Sequence, residues 1–295
     1  MSHKLLKELY TDLFKWMPDR AYISMSYLIK THSFMHWSNP VSFSEKLQWL
    51  KVNNRNPIYS KLVDKYEVKE FISETIGQQY AIPTLAVWNN VEEIDFNLLP
   101  QAFVLKCTHD SGSVIICKNK EFFDYEQAKK KLNHHLKRNL YYLSREWPYK
   151  NVIPRIIAEP LLQTEDGTPI SDYKIFCFNG EPKIVYVTFG RGSEEKMKIN
   201  YYDLSWNKLN LRHLNYDNYQ GSFTPPESFA NMLYLARELS KGFTFIRIDF
   251  YDIDGKIYVG EMTFYPDGGW GFHKSTPRSM DIQLGNMIDI PKIKQ

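Results

Sequence analysis

The sequence predicts an α+β protein, and three patterns support this class. Up to about residue 80, apolar and charged residues alternate at helical spacing. Beyond that point the period changes, and short apolar or alternating runs bounded by turn residues predict strands. Only two helical patterns interrupt these strands. Strands in hairpin-sized pairs with few helices favour α+β over a doubly wound parallel sheet.

Helical patterns are predicted in five segments. The first is an apolar stripe over residues 5–14. The second begins at Ser42, because Ser42 and Glu45 have the Ser-x-x-Glu spacing of a capping box. The remaining three cover residues 60–76, 125–143 and 226–241, where apolar positions recur between lysines and glutamates.

Eight short segments have the composition of strands. The pair on either side of Asn179–Gly180 carries the strongest hairpin signal, because Asn-Gly fits a two-residue turn. The eight segments read AIPTLAVW, AFVLKC, SVIICK, RIIAEPLL, DYKIFCF, PKIVYVTF, FIRIDFY and KIYVGEMTF.

The totals exclude several classes of protein. A chain of 295 residues with 43% hydrophobic content can bury the core of one large domain or of two to three lobes. A net charge of +3 does not indicate a nucleic-acid-binding protein. The aromatic content of 15% is explained by packing, although it also suits grooves for polar ligands such as sugars.

Hydropathy and cysteine usage favour a cytoplasmic protein. No run of about 18 apolar residues suggests a membrane span, and charges interrupt every apolar stretch near the N-terminus, unlike a signal peptide. The three cysteines, Cys107, Cys117 and Cys177, are odd in number and lack metal-ligand spacing. We therefore expect reduced thiols.

The segment LKCTHDSGSVIICK is a candidate phosphate-binding loop. Two strand-like runs flank Ser111, Gly112 and Ser113, and a glycine here allows a tight turn that presents backbone N–H groups to an anion. Lys106 stands at the end of the first strand. An ordinary hairpin turn explains the same residues.

Two further segments carry polar residues in strand-like runs. In IIAEPLLQTEDG, Glu159 is followed by Pro160, which cannot continue a central strand because it lacks an N–H group. The segment either bends and presents backbone groups to a purine, or it is an edge strand that runs into the Asp166–Gly167 turn. In DYKIFCFNGEPKIVYV, alternation places Asp172, Lys174 and Phe176 on one face. A single lysine on a strand is usually solvated, so Lys174 is ambiguous.

The segment FIRIDFYDIDGKIYVGEMTFYPDGG predicts a hairpin with two carboxylates. A three-residue loop over residues 253–255 would pair Asp249 with Val259 and Arg247 with Glu261. Asp249 and Glu261 would then be diagonal neighbours about 7–8 Å apart on one face. They could share magnesium, which favours one or two carboxylates plus phosphates, or form a surface ion-pair ladder. A loop one residue longer would separate them.

The order of these motifs resembles the ATP-grasp superfamily, the fold of the D-alanine–D-alanine ligases. The series is DKYEVK, AIPTLAVW, VLKCTHDSGSV, IAEPLL, DYKIF, RIDF and GEMTFYPDGG. With SFSEKLQWLK and LVDKYEVKEFI, the chain is most similar to the TupA-like group, linked to surface-polysaccharide synthesis. The resemblance implies a helical region over residues 1–60 and two ATP-grasp lobes, over residues 61–165 and 166–295.

The resemblance also implies a site for ATP and Mg²⁺. By position, Lys65 and Lys106 match lysines that bind phosphates, with Lys106 also catalytic, and residues 111–113 match a loop that closes over the triphosphate. Further nucleotide contacts fall on Glu159, Leu162, Asp166 (or Glu165) at the ribose, and Lys174. Arg247 matches a catalytic arginine. The metal ligands fall on Asp249, Glu261 and Thr263, where Thr263 replaces the usual asparagine.

The function implied is that of an ADP-forming carboxylate–amine ligase acting through an acyl phosphate. Its substrates would be a small or glycan carboxylate, such as a uronic acid, and an amine, with peripheral association with membrane-linked glycan synthesis. Alternatives are a glycosyltransferase using Asp252 and Asp254, an ATP-dependent phosphotransferase, and a glycan-binding protein. The superfamily's N-terminal α/β substrate domain is not visible, so the substrate site cannot be carried over.

Overall fold

The computed structural model describes residues 13–168, 170–190, 196–272 and 276–290. Within these ranges the chain forms α-helices and two antiparallel sheets, which confirms the predicted α+β class. The helix predicted over residues 5–14 lies almost entirely outside the described residues. No helix among the described residues is long and apolar enough to cross a membrane.

The elements follow the predicted order of helices first and strands later. The helices are α1 (Asp19–Thr31), α2 (Phe43–Asn53), α3 (Ile58–Val63), α4 (Val68–Ile76), α5 (Tyr125–Leu136), α6 (Leu140–Ser144), α7 (Phe229–Ser240) and α8 (Arg278–Gly285). The strands are β1 (Ala86–Trp88), β2 (Phe103–Cys107), β3 (Ile115–Cys117), β4 (Ile156–Pro160), β5 (Asp172–Phe178), β6 (Glu181–Phe189), β7 (Lys198–Asp203), β8 (Phe245–Ile253) and β9 (Lys256–Thr263).

The smaller sheet has the order β1-β4-β2-β3, with every pair antiparallel. Its core side packs on α5, where Leu132 is buried among Phe103, Leu105 and Ile156. Alternate residues of β2, including Lys106, point to the other face. The sheet therefore carries its polar residues on the face away from α5.

The larger sheet has the order β7-β6-β5-β8-β9, also antiparallel throughout. Helix α7 packs on it, and α2, α3 and α4 share the same hydrophobic core, in which Leu47, Leu62 and Ile72 are buried with Phe245 and Met262. The N-terminal helices are thus built onto this sheet. The domain boundaries at residues 60 and 165 stay a prediction.

Two helices predicted as continuous are each broken. Residues 60–76 form α3 and α4, because Asp64 is extended (ψ 119°) and its Oδ1 accepts hydrogen bonds from the N–H groups of Tyr66 and Glu67. Residues 125–143 form α5 and α6, because the side chain of Asn139 accepts from the N–H of Tyr141 and starts a new helix.

Local signals at α2 and at one turn are confirmed. The Ser42 hydroxyl accepts from the Glu45 N–H at 3.2 Å, and the Glu45 carboxylate accepts from the Ser42 N–H at 3.0 Å, which completes the capping box. Asn179 and Gly180 have φ of 50° and 81° and form the predicted two-residue hairpin turn. The three cysteines are free and buried, as expected of reduced thiols.

Candidate functional site

The hairpin β8–β9 differs from its prediction at both the turn and the register. The loop has two residues, Asp254 and Gly255, with φ of 53° and 83°. A β-bulge then places Gly260 as an extra residue on β9. Asp249 consequently lies directly opposite Glu261, and Arg247 opposite Thr263 rather than opposite Glu261. The two carboxylates share a face, as predicted, but they do so through a two-residue turn and a bulge, and not through a three-residue loop.

The ring of Tyr251 lies against Gly260 at the bulge. A Cβ atom at residue 260 would lie 2.6 Å from Cε2 of Tyr251, closer than real contacts allow. The lack of a side chain at residue 260 therefore leaves room for the Tyr251 ring beside the bulge.

Asp249 is buried between two cations. Nε of Arg247 donates to its Oδ1 at 2.6 Å, Nη2 of Arg247 donates to its Oδ2 at 2.9 Å, and Lys174 also bonds Oδ2. Burial alone would raise the pKa of the Asp249 carboxyl, but Arg247 and Lys174 outweigh it, so the pKa is lowered. Lys174 is therefore a buried ion-pair partner, 12% exposed, and its interpretation as a solvated strand lysine is wrong.

Glu261 and Thr263 complete this polar cluster. The Thr263 hydroxyl donates to Oε1 of Glu261 at 3.2 Å, and Nη2 of Arg247 donates to the same hydroxyl at 3.3 Å. No three His, Cys, Asp or Glu side chains gather into a metal site in the described ranges. Two adjacent carboxylates with a hydroxyl nevertheless fit Mg²⁺, because this ion takes its remaining ligands from phosphates and water.

On the smaller sheet, Glu159 bridges two lysines. Its Oε2 lies 2.6 Å from Nζ of Lys106, and its Oε1 lies 2.6 Å from Nζ of Lys69. Burial opposes the charge on Glu159, but the lysines outweigh it and lower its pKa; burial likewise opposes charge on Lys106, whose pKa is raised by Glu159. The sequence reasoning missed Lys69, although it follows Lys65 by four residues in the same motif.

Hydrogen bonds of Ser113, Asp110 and Lys65 hold the loop after β2 in place. Ser113 is buried, and its hydroxyl accepts from the Cys107 N–H at 2.9 Å and donates to Oδ1 of Asp110 at 2.6 Å. Nζ of Lys65 donates to the Asp110 carbonyl at 2.5 Å. Ser111 and Gly112 are exposed, with φ of 91° at Gly112. Ser113 therefore shapes the loop, while Ser111 and Gly112 form its accessible tip.

A cavity of about 310 Å³, called here the small cavity, lies between the two sheets. Aliphatic side chains of the smaller sheet line it together with Lys106, Glu159, Leu162 and Tyr251. Asp166 is exposed in a turn, where it accepts from the Thr168 N–H, and the lining includes its neighbours Gly167 and Thr168 instead. The structure thus brings together the predicted nucleotide residues of β2 and β4 but leaves Asp166 at the rim.

A second cavity of about 660 Å³, called here the large cavity, lies beside Arg247, Glu261 and Thr263. Its walls come from α1, from residues 138–149 and from residues 265–270. The first two walls carry none of the residues predicted for the site, whereas the third lies within the motif GEMTFYPDGG as far as Gly269. The first two walls contain ordinary helix and loop patterns, so no motif distinguishes them.

Strand β8 connects the two cavities. Tyr251 lines the small cavity and Arg247 lines the large one, with Asp249 between them. These residues alternate along one face of the strand, at about 7 Å per step. Glu261 also contributes to the raised pKa of Lys106, so the charges of the two cavities interact. The two cavities can therefore hold two ligands that react near Asp249.

Several solved structures have a similar chain path. A D-alanine–D-alanine ligase from Bacillus anthracis, complexed with ATP, shares 13% identity over 90% of this chain and 80% of its own, with a TM-score of 0.46. The Helicobacter pylori enzyme shares 13% over 85% and 70% (TM-score 0.43), and a D-cycloserine synthetase shares 14% over 83% and 77% (TM-score 0.43). No curated protein sequence matches the chain.

The identification rests on a family model. The match defines the class as ATP-grasp, the superfamily of the D-alanine–D-alanine ligases that the motif series resembles. The family model for TupA-like ATP-grasp proteins matches residues 45–289. The chain therefore belongs to the TupA-like ATP-grasp family, as the motif series indicated.

Proposed function

We propose that the protein is an ATP- and Mg²⁺-dependent, ADP-forming ligase that joins an amine to a carboxylate, with a uronic acid of a surface polysaccharide as the carboxylate. The observation that carries the proposal is the arrangement along β8. Two cavities of different lining open on one strand face, and the Asp249–Arg247–Lys174 cluster lies between them.

The small cavity is the proposed nucleotide site. Aliphatic walls suit the adenine, with backbone groups near Leu162 at its edge. Lys106 in the lining, and Lys65, which holds the adjoining loop at Asp110, would bind the phosphates. Lys106 and Lys174 are held charged by carboxylates, so they are set to neutralise phosphate oxygens. The tip at Ser111 and Gly112 would cover the triphosphate, and Asp166 at the rim would meet the ribose.

Mg²⁺, when bound by Glu261, Asp249 and Thr263, would supply positive charge that screens the triphosphate. The orientation of these ligands comes from the chain itself. Arg247 orients both Asp249 and Thr263 through hydrogen bonds, and Thr263 in turn orients Glu261. Glu261 lines the large cavity, so it would face the carboxylate substrate.

The reaction requires alignment and charge neutralisation, with no nucleophilic side chain. A carboxylate oxygen attacks the γ-phosphorus, the bond to the β-phosphate oxygen breaks, and ADP leaves. The amine nitrogen then attacks the acyl carbon, loses a proton and expels inorganic phosphate. Arg247 stabilises the charge on the transferred group, and the buried surroundings exclude water that would hydrolyse the acyl phosphate.

The glycosyltransferase alternative loses support from the geometry of its proposed motif. Asp252 bonds the Ser228 hydroxyl and accepts from the N–H of Gly255, and Asp254 accepts from the N–H of Glu165. Asp252 thus organises the hairpin turn, and Asp254 ties the turn to the segment at Glu165. We also propose a cytoplasmic location, with peripheral association where the glycan is membrane-linked.

Glu261→Gln tests the proposal more cleanly than Asp249→Asn, because Asp249 also neutralises two buried cations. We expect ADP release from ATP and Mg²⁺, with carboxylate and amine present, to fall at least about 100-fold, in line with the loss of a preorganised electrostatic group. Circular dichroism and thermal unfolding should match the unaltered protein. Glu181→Gln, which alters an exposed pair with Arg237, is the matched control and should release ADP normally.

Normal turnover in Glu261→Gln contradicts the metal assignment. Failure of ATP with Mg²⁺ to raise the melting temperature of the unaltered protein contradicts the nucleotide site itself. Transfer of phosphate to a hydroxyl substrate, without amide formation, identifies a phosphotransferase instead.

A further inference from the structure

The loop between β2 and β3 lies beyond the paired ends of both strands, where sheet register no longer fixes it. Its tip, Ser111 and Gly112, is exposed, and the two backbone N–H groups make no hydrogen bond with other described residues. Free N–H groups on a turn of this kind suit an anion if the turn is held in one position. The side chains that hold the tip therefore matter for binding a phosphate.

His135, in the last turn of α5, contacts this loop directly. Its Nδ1 is hydrogen-bonded to Oδ2 of Asp110, the residue before the tip, and both side chains are buried. The other oxygen of Asp110, Oδ1, accepts from the hydroxyl of Ser113, the residue after the tip, at 2.6 Å. A Cβ atom added at Gly112 would lie 3.8 Å from Cε1 of His135, so the ring lies beside the tip. Asp110 thus joins the helix to both ends of the tip.

The bond between His135 and Asp110 has a defined direction. An ionised carboxylate only accepts hydrogen bonds, so the proton lies on Nδ1 of His135. Burial lowers the pKa of His135, and the guanidinium of Arg138, 3.2 Å from Nδ1, acts in the same direction against the opposing effect of Asp110. The ring is therefore neutral at pH 7, and its single N–H group is committed to Asp110.

Two further bonds attach α5 to the loop on either side of this contact. Nζ of Lys131 donates to the Val114 carbonyl at 2.9 Å, and Nε2 of His109 donates to the Arg138 carbonyl at 3.1 Å. Lys131 and His135 are four residues apart, and Arg138 follows three residues later, so the three lie along one side of the helix and its end. The whole loop is therefore attached to one face of α5.

We propose that His135 is a positioning residue of the nucleotide site, which holds the N–H groups of Ser111 and Gly112 in place for the triphosphate through its bond with Asp110. This inference rests on the proposed function and adds α5 to it, a helix that lies outside every motif of the family resemblance. His135 contacts neither the nucleotide nor the reacting atoms in this proposal.

The experiment compares two nucleotides that share the adenosine and differ in their phosphates. Calorimetry on the full chain measures the binding of AMP-PNP and of AMP, each with Mg²⁺. We expect His135→Leu to weaken AMP-PNP binding at least about tenfold and to leave AMP binding within about twofold, because one hydrogen bond to a charged group has about this effect on the loop alone. His135→Asn should restore AMP-PNP binding to within about threefold, because its side-chain N–H group can donate to Asp110 as Nδ1 does.

Amide hydrogen exchange without nucleotide measures the position of the loop independently. Exchange over residues 108–114 should be faster in His135→Leu and normal in His135→Asn, while exchange over residues 156–160 of the same sheet stays unchanged. A merely structural role for His135 would change both segments together.

Lys131→Met tests the attachment at an exposed residue, where the substitution leaves the core intact, so it remains informative if His135→Leu does not fold. It should weaken AMP-PNP binding about threefold and leave AMP binding unchanged, since the lost bond is exposed. Lys130→Met, at the exposed neighbouring position, is the matched control and should bind both nucleotides normally.

Equal weakening of AMP-PNP and AMP binding in His135→Leu overturns the inference, and so does unchanged AMP-PNP binding or unchanged loop exchange. Failure of His135→Asn to restore AMP-PNP binding overturns it as well. If His135→Leu does not fold, normal AMP-PNP binding in Lys131→Met has the same consequence. Failure of the unaltered protein to bind AMP-PNP overturns the proposed function instead, so the two failures are distinguishable.

Discussion

The small and large cavities are built from different kinds of structure. Strands supply the residues that fix the small cavity, and its buried charges are paired across strands, as in Glu159 with Lys106. Helices and loops supply most of the large cavity, and its shape depends on side chains such as Gln48 that bind backbone carbonyls. The nucleotide side is therefore fixed by sheet register, and the substrate side by how helices pack.

This difference predicts that the two cavities can be damaged separately. A change to an ion pair in the small cavity should affect the fold and nucleotide binding together, because the pair belongs to the sheet. A change at the large cavity should leave nucleotide binding intact. The following three changes test this separation, beginning with the largest expected effect.

Glu159→Gln should lower the free energy of unfolding by about 3 kcal/mol, because it leaves Lys69 and Lys106 buried together without their shared carboxylate. Chemical unfolding at pH 7 measures the effect. Glu181→Gln at the exposed pair with Arg237 should change it by less than about 0.5 kcal/mol. ATP affinity should fall with stability, and a Glu159→Gln protein of normal stability would show that the pair is not structural.

Gln48→Ala should lower the free energy of unfolding by about 2 kcal/mol, because the buried carbonyls of Gly268 and Gly269 lose a donor. ATP affinity should stay within about twofold, while ADP release with substrates present should fall, since the wall of the large cavity is no longer fixed. Gln127→Ala on the exposed face of α5 is the control. Equal loss of ATP binding would show that the cavities are not separable.

Gly260→Ala should weaken ATP binding about tenfold, corresponding to about 1.4 kcal/mol, because the added methyl group displaces the Tyr251 ring at the small cavity. Calorimetry with an ATP analogue measures this change. In a double-mutant cycle, Gly260→Ala should have little further effect in a Tyr251→Ala background, since the two act on one contact. If the effects of Gly260→Ala and Tyr251→Ala on ATP binding are fully additive, Gly260→Ala does not act through the Tyr251 ring, and the bulge itself is the simplest alternative.

Much of the fold follows from the sequence because strand segments and turn residues are local signals. The two-residue turn at Asn179–Gly180 and the capping box at Ser42 depend on neighbours within a few positions, and both are confirmed. The proposed nucleotide residues also lie on strands, such as Lys106 on β2. Their order along the chain was therefore enough to indicate the family.

Features that depend on distant contacts were not predictable. The burial of Lys174 depends on Asp249, which is 75 residues away in sequence, and the register of Glu261 depends on a bulge beneath a tyrosine ring. The walls of the large cavity join residues as far apart as Tyr22 and Leu143. Such pairings leave no periodic pattern in a single sequence, so the cavity and its helical walls could not be found from it, although Arg247, Glu261 and Thr263 on its other side were predicted.

The bulge at Gly260 divides the hairpin into two parts, and the alternation of side chains shifts by one residue between them. On the turn side, alternation is set by Asp254–Gly255; on the site side, it restarts at Asp249 and Glu261. A one-residue change of length in the turn would ordinarily invert every side chain beyond it. Here the one-residue shift of register occurs directly next to Asp249 and Glu261. Without the extra residue the two-residue turn would place Glu261 opposite Ile248, on the other face of the hairpin from Asp249, so the meeting of the two acids is encoded beside them and not at the turn.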